Sequence, residues 1–309
     1  MLKRLTLLVG LLSAIITGVY SQHDALYNQY MFNYFILNPA YAGSEGVLNA
    51  SLIDRHQWVG IDGAPNTMTF STHFPTKKKK VGLGMYVFSD NLGATNDYGI
   101  MGNYSYSVET GKGILSFGVQ GGIYQHHIDW NNLDMEISDD PVLFTQSYND
   151  ILPDANFGVY YYTKDFYIGA SSKHLFEIVF VDVTQRWNTI YESLARHFYL
   201  YSGKKITVNP QLTFEPSVLL KWVENENLYF DLNLMANYHQ HFNIGVSYRS
   251  HVKSLVLLMQ IHTNNNLSFG YSYDTYLGEV KAYSLGSHEF TIRYTIDVFV
   301  KRSACNDFE

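Results

Sequence analysis

From about Leu48 to Val300 the chain reads as short stretches in which apolar residues alternate one by one with polar or small ones, separated by clusters of turn formers. Side chains on an extended strand point to opposite faces in turn, so this alternation describes strands with one greasy side and one wet side. The last stretch is the clearest. Phe290, Ile292, Tyr294, Ile296, Val298 and Val300 share one face, and Glu289, Thr291, Arg293, Thr295 and Asp297 share the other. Leu228, Phe230, Leu232 and Leu234 alternate in the same way with Tyr229, Asp231 and Asn233, as do Leu267, Phe269, Tyr271 and Tyr273 with Ser268, Gly270, Ser272 and Asp274. No helical period takes over. The pattern predicts an all-β chain, a transmembrane antiparallel up-and-down β-barrel whose apolar face meets lipid.

Fourteen strands are expected, at about 47–58, 66–74, 80–89, 97–109, 112–126, 155–163, 166–174, 194–203, 207–222, 227–238, 241–250, 252–262, 266–275 and 287–300. Twelve or sixteen fit almost as well. Connections after even-numbered strands are short, such as Thr110-Gly111 and His239-Gln240, while four of the seven after odd-numbered strands are long. Short turns on one rim and long loops on the other are the asymmetry of outer-membrane barrels, and a soluble sandwich gives no reason for it. An even count also puts both barrel ends on the periplasmic side. The segment 175–192, which opens Leu-Phe-Glu-Ile-Val-Phe-Val-Asp-Val, reads as extra β-structure, a hairpin within a long loop.

At the N-terminus, Lys3 and Arg4 precede an apolar run from Leu5 to Val19 and then Val19-Tyr20-Ser21, the pattern of a signal peptide cleaved after Ser21. That run is short of the about 20 apolar residues a membrane helix needs, and nothing later in the chain approaches it. The expected division is therefore residues 1–21 as signal peptide, 22–46 as lead-in, 47–300 as outer-membrane barrel and 301–309 as C-terminal tail. The lead-in is rich in Tyr and Asn and suits either a periplasmic segment or one tucked into the lumen.

Composition narrows the function classes. A net charge of −7 argues against a nucleic-acid partner, which calls for a basic field. The lone Cys305 cannot form an internal disulfide, so an exported chain must be held together by other means, and closing the strand ladder is enough. A mean hydropathy of −0.12 is too polar for a helical bundle in lipid and ordinary for a barrel, where only alternate residues meet hydrocarbon. Aromatics make up 16% of the chain. Tyr160, Tyr161, Tyr162, Phe198, Tyr199, Tyr201, Tyr271 and Tyr273 are expected near strand ends, with their polar tips at the membrane interface.

Catalytic and cofactor chemistry is largely missing. Gly82-Leu83-Gly84 and Gly118 to Gly122 lie inside strands instead of opening a helix, so they are expected to relieve crowding and not to cradle phosphate. His126-His127 and the pair His239 and His241 lack a nearby third ligand, and the acidic stretch Asp129, Asn131, Asp134 and Glu136 lacks the glycine turn and final Glu of a calcium loop. No metal, no cofactor and no enzyme are expected. Lys77, Lys78, Lys79 and Lys80 form a dense cationic turn, read either as solvated or as a contact for anionic lipid head groups or an acidic partner. Trp130 and Trp187, in the long loops, are further candidate partner contacts.

An ordered run of motifs adds a family resemblance. Gln29-Tyr30-Met31-Phe32-Asn33 is followed by Asn38-Pro39-Ala40-Tyr41-Ala42-Gly43-Ser44, by Arg55-His56-Gln57-Trp58-Val59-Gly60, by Gly63-Ala64-Pro65, by Val81-Gly82-Leu83-Gly84 and by Asp90-Asn91-Leu92-Gly93. This resembles the N-terminal third of the PorP/SprF family, most sharply over residues 22 to 110. The resemblance implies a non-enzymatic outer-membrane barrel of the Bacteroidetes, working in type IX secretion and gliding motility. Its implied partners are other type IX components, outer-membrane lipid, and a large secreted adhesin or its C-terminal region, which it helps to secrete or to anchor at the surface. A passive porin or small-solute transporter is the rival reading. The residues carrying the match, Asn38, Pro39, Ala40, Tyr41, Gly43, Gln57, Trp58, Gly63 and Pro65, are expected to act structurally. A fixed φ at Pro39 and a permissive Gly43 set the approach to the first strand, and Gly63 to Pro65 make the first outer turn.

Overall fold

The computed structural model describes residues 24–77, 80–129, 148–176, 179–181, 191–224 and 227–298. Its strands are β1 (Leu48–His56), β2 (Asn66–Pro75), β3 (Val81–Leu92), β4 (Thr95–Thr110), β5 (Gly113–Ile128), β6 (Tyr148–Tyr162), β7 (Phe166–Lys173), β8 (Val179–Val181), β9 (Tyr191–Ser193), β10 (His197–Lys204), β11 (Ile206–Asn209), β12 (Leu212–Val223), β13 (Tyr229–Tyr238), β14 (Phe242–Arg249), β15 (Ser254–His262), β16 (Leu267–Tyr276) and β17 (Ser287–Ile296). Successive long strands pair antiparallel, and the ladder closes where β1 meets β17, with Leu48 opposite Ile296 and His56 opposite His288. The short pair β8–β9 forms its own hairpin, and β11 pairs only with β12, beside the β10–β12 contact that continues the wall. The result is a closed antiparallel barrel of fourteen strands.

The expected strand positions differ from the observed ones mainly where turn formers take part in the ladder. Asn91 and Asn96 look like loop residues, yet they face each other across β3–β4, and only Gly93 and Ala94 remain as the turn. The expected strand 207–222 is broken at Pro210, because the Asn209 side chain accepts the backbone N–H groups of Gln211 and Leu212 and turns the chain. β6 begins at Tyr148, upstream of the expected 155, and pairs with β5 up to Ile128.

The alternation of the sequence becomes an inside-out distribution of polarity. Phe290, Ile292, Leu232, Leu257, Ile244 and Val119 lie exposed on the outer face, whereas Glu289, Thr291, Asp231, Asn233, Ser247 and Gln120 are buried on the inner one. The inner face is buried because the lumen is filled. Residues 24–46, with three single-turn 3-10 helices at Tyr30–Phe32, Tyr34–Ile36 and Pro39–Tyr41, occupy it. The expected interfacial girdle is corrected at Tyr160, Tyr199 and Tyr201. Their rings are buried against this internal segment, since their parity in β6 and β10 points them inward.

Candidate functional site

The lead-in reaches nearly every part of the wall. Its side chains or backbone bond to β2, β4, β6, β7, β13 and β17 through Thr69, Asn103, Val159, Ser171, Asn233 and Glu289. It runs lengthwise. Asp24 sits beside Lys173 and His197, at the ends of β7 and β10 that carry the long connections, while Glu45 pairs with Arg293 towards the opposite rim.

Two kinds of grip hold it. On β1, β12, β13, β14, β16 and β17 the inner face carries a buried network: Arg55 pairs with Asp274 at 3.5 Å and Glu289 at 3.3 Å, Lys221 with Asp231 at 2.7 Å, and Arg249 with both Asp231 and Asp274. Three cations thus face three carboxylates, the balance that makes such burial tolerable. Glu289 then uses both oxygens to accept the backbone N–H groups of Asn28 at 2.7 Å and Gln29 at 2.8 Å, and the Arg249 guanidinium donates to the Tyr27 carbonyl.

On β3 to β7 the grip is steric. A Cβ on Gly118 would overlap the Pro39–Ala40 peptide, one on Gly158 would overlap the Asn38 side chain, and one on Gly82 would overlap the Ala42 carbonyl. Asn38 accepts from the Ala40 N–H at 2.9 Å, capping the Pro39–Tyr41 turn, and its amide donates to the carbonyls of Val159 and Ala170, which face each other across β6–β7. Gly43, at φ +77°, lies close against this wall, where a Cβ would come within 2.9 Å of the Gly82 Cα and 3.2 Å of the Pro75 Cα. Tyr34 stacks on Tyr201 with ring centroids 4.5 Å apart and shares a 2.8 Å hydrogen bond with Tyr167, whose hydroxyl in turn reaches Glu215. A cavity of about 280 Å³ remains beside these rings, lined by Glu45, Lys205, Glu215 and Arg293 among others.

At the other end of the segment, Asp24 receives Lys173 Nζ at 2.8 Å and His174 Nε2 at 2.8 Å, and His174 Nδ1 lies 2.9 Å from Asp154. Burial alone would lower the His174 pKa, but the flanking carboxylates of Asp24 and Asp154 outweigh it and hold it up at about 9. Burial would likewise raise the Asp24 carboxyl, yet Lys173 and His174 keep it well below the usual range.

The sequence-singled residues separate into distinct places. Asn38, Pro39, Ala40, Tyr41 and Gly43 lie within the filled lumen. Gln57, Trp58, Gly63 and Pro65 form the β1–β2 connection on the rim of long connections: the Gln57 N–H donates to the Pro65 carbonyl, the Trp58 N–H to Ser287 Oγ, and the Gly63 carbonyl accepts from Gly93. Lys77 and Lys80 flank the β2–β3 turn on the opposite rim. Lys78, Lys79, Trp130, Trp187, the signal peptide and the tail lie outside the described residues. The His239-Gln240 pair makes the β13–β14 turn with both φ angles positive, and His126 is buried against Asp97 at 2.6 Å. Sequence reasoning did not single out Asp24, His174, His197 or Arg249, and placed Glu289 on the wet face of the last strand without a role. For Arg249 and Glu289 a signal existed, since both stand at inward positions of alternating strands. For Asp24, His174 and His197 there was none, because Asp24 lies 150 and 173 residues from the two histidines and no spacing rule spans that distance.

Comparisons with known proteins place this architecture. A toluene transporter of Ralstonia pickettii, TbuX, superposes with a TM-score of 0.52 at 13% identity over 90% of this chain and 96% of its own. A FadL homologue of Pseudomonas aeruginosa gives 0.48 at 11% identity over 93% and 97%. At such identity the first likeness speaks for the barrel fold alone. No curated protein matches the sequence. The family described as type IX secretion system membrane protein PorP/SprF matches residues 19–294, nearly the whole chain, and the outer-membrane barrel described above belongs to it.

Proposed function

We propose that this barrel is a non-enzymatic, non-conducting accessory of type IX secretion that helps to secrete or retain a large adhesin at the cell surface, with its apolar band in the lipid of the outer membrane. Family membership supports the secretion role and type IX components as partners. The observation that carries the non-conducting part is the lead-in, which fills the cross-section and bonds to the wall on all sides. A conduit for solutes needs an open bore, and a fixed segment gripped sterically by β3–β7 and ionically by β12–β17 does not leave one. Client contact then falls to the rims. On the side of the long connections the two longest in sequence are residues 129–147 and 174–196, and client contact is assigned to them.

Loop deletion tests this. Removing 130–147 and 177–190 should leave a folded barrel in the membrane and release the adhesin into the medium, read by fractionation and surface immunoblot. Unchanged surface adhesin with both deletions would defeat loop docking. Planar-bilayer recording tests the rest. The intact barrel should show no steady conductance, and a large stable one would favour the solute-channel reading instead.

A further inference from the structure

We propose that Asp24, His174 and His197 form a binding site for a divalent transition-metal ion of the zinc class, which fastens the start of the lead-in to the barrel wall. One donor atom from each of the three lies within 4.8 Å of those of the other two. Four features favour a metal over a plain ion-pair cluster.

The first is the orientation of the rings. His174 Nδ1 faces Asp154 Oδ2 at 2.9 Å, and His197 Nδ1 faces the Ala195 carbonyl at 2.9 Å. Each imidazole thereby spends its Nδ1 on an outer partner and turns Nε2 towards Asp24. A carboxylate or carbonyl behind the ring is the arrangement that fixes the tautomer of a metal-ligating histidine. The second is the thin satisfaction of His197. Among the described residues its buried Nε2 meets the Asp24 N–H at a long 3.4 Å, so the ion-pair cluster gives this ring little to do.

The third is the backbone. His174 has φ +55°, a left-handed conformation that a residue with a Cβ adopts under constraint, and it lets the consecutive side chains of Lys173 and His174 both be buried. A regular strand would send the second one outward. The fourth is charge. The cavity these groups line also receives Asp90, Asp97 and Asp154, so four carboxylates with Asp24 face Lys173 and the proposed ligand His174, with Asp97 also paired to His126.

Two imidazoles, one carboxylate and a water in the remaining position make a tetrahedral set suited to Zn²⁺, whereas Ca²⁺ and Mg²⁺ favour all-oxygen shells. Asp24 has an oxygen to spare, because Lys173 occupies Oδ2 and the ion would take Oδ1, the atom now facing His174 Nε2. On binding, the N–H bond at His174 Nε2 breaks, an N–metal bond forms, and the proton leaves to solvent. No electron changes hands.

The test uses the full mature barrel purified in detergent, stripped with a chelator and titrated with Co²⁺ under visible spectroscopy. The expected result is one Co²⁺ per chain with intense tetrahedral d–d bands, displaced stoichiometrically by Zn²⁺. His197→Gln and Asp24→Asn should abolish the bands, Asp154→Asn should weaken binding about 10–100-fold, and Lys173→Gln should tighten it. His127→Ala and His239→Ala should change nothing. Heat-modifiable gel mobility verifies that each variant is folded, and Asp24→Asn, which alters only the lead-in, stands in if a wall variant is not. Absence of stoichiometric Co²⁺ uptake, or uptake unchanged in folded Asp24→Asn, overturns the site.

Discussion

The two arcs of the inner wall hold the same segment by opposite means. On β12–β17 and β1 the side chains are long and charged, and they reach inward to bond the backbone at residues 27–29. On β3–β7 several inward positions are glycine, so the wall recedes and the segment at residues 38–42 lies against bare backbone. The ionic arc is therefore expected to be sensitive to charge and the bare arc to one added carbon, with Gly270 of β16, packed on Gln29, and Lys173 of β7, paired with Asp24, as the exceptions. A lumen lined all round by either would be worse. Charges alone would leave partners unmatched, and glycines alone would give no hydrogen bonds to a buried backbone.

The sharpest way to break this contrast is Glu289→Ala. It leaves the Asn28 and Gln29 N–H groups buried without their acceptor and Arg55 with Asp274 alone, and the expected loss is about 3–5 kcal/mol, read as the urea midpoint of the detergent-solubilised barrel. A loss no larger than that of an exposed charge would show that the ionic arc does not hold the segment. Gly118→Ala comes next. The added carbon meets the Pro39–Ala40 peptide, and overpacking of this kind is expected to cost about 1–3 kcal/mol and to raise bilayer conductance by displacing residues 38–42. Tyr34→Phe keeps the stack on Tyr201 and deletes the bond to Tyr167, for about 0.5–1.5 kcal/mol by the same unfolding measurement. The smallest effect is a coupling. Glu289→Ala and Gly118→Ala act on stretches of the lead-in ten residues apart, so a double-mutant cycle should close to within about 0.3–0.5 kcal/mol. A larger coupling would mean that the lead-in moves as one rigid body and that the two arcs are a single device.

The sequence made the barrel legible because its wall obeys a two-residue period that one greasy face enforces: Phe290, Ile292 and Tyr294 could only point one way. Connection lengths then sorted the rims. What it hid was the lumen. Tyr160, Tyr199 and Tyr201 have the composition of interfacial aromatics, and the lead-in makes them a core: Tyr34 stacks on Tyr201, Tyr41 packs on Tyr160, and Tyr199 donates to Asp24. Gly82 and Gly118 were recognisable as relief from crowding, but what crowds them is a segment about 40 and 80 residues upstream, and no local pattern carries that distance. Asn38-Pro39-Ala40-Tyr41 carried the family resemblance without showing its use, which is a turn shaped to lie on β4, β5 and β6.

Residue 24 lies at one mouth of the tube and Leu48 begins the wall at the other, so the intervening chain is a rod inside its own sleeve. Sliding such a rod lengthwise through a finished sleeve would mean dragging side chains as large as Tyr34 and Phe35 past the inner surface. The seam between Leu48 and Ile296 joins the earliest strand to the latest, and sealing it after the rod is in position avoids that passage. Assembly of this protein is therefore best described as winding a sheet around a mandrel that the same polypeptide has already supplied.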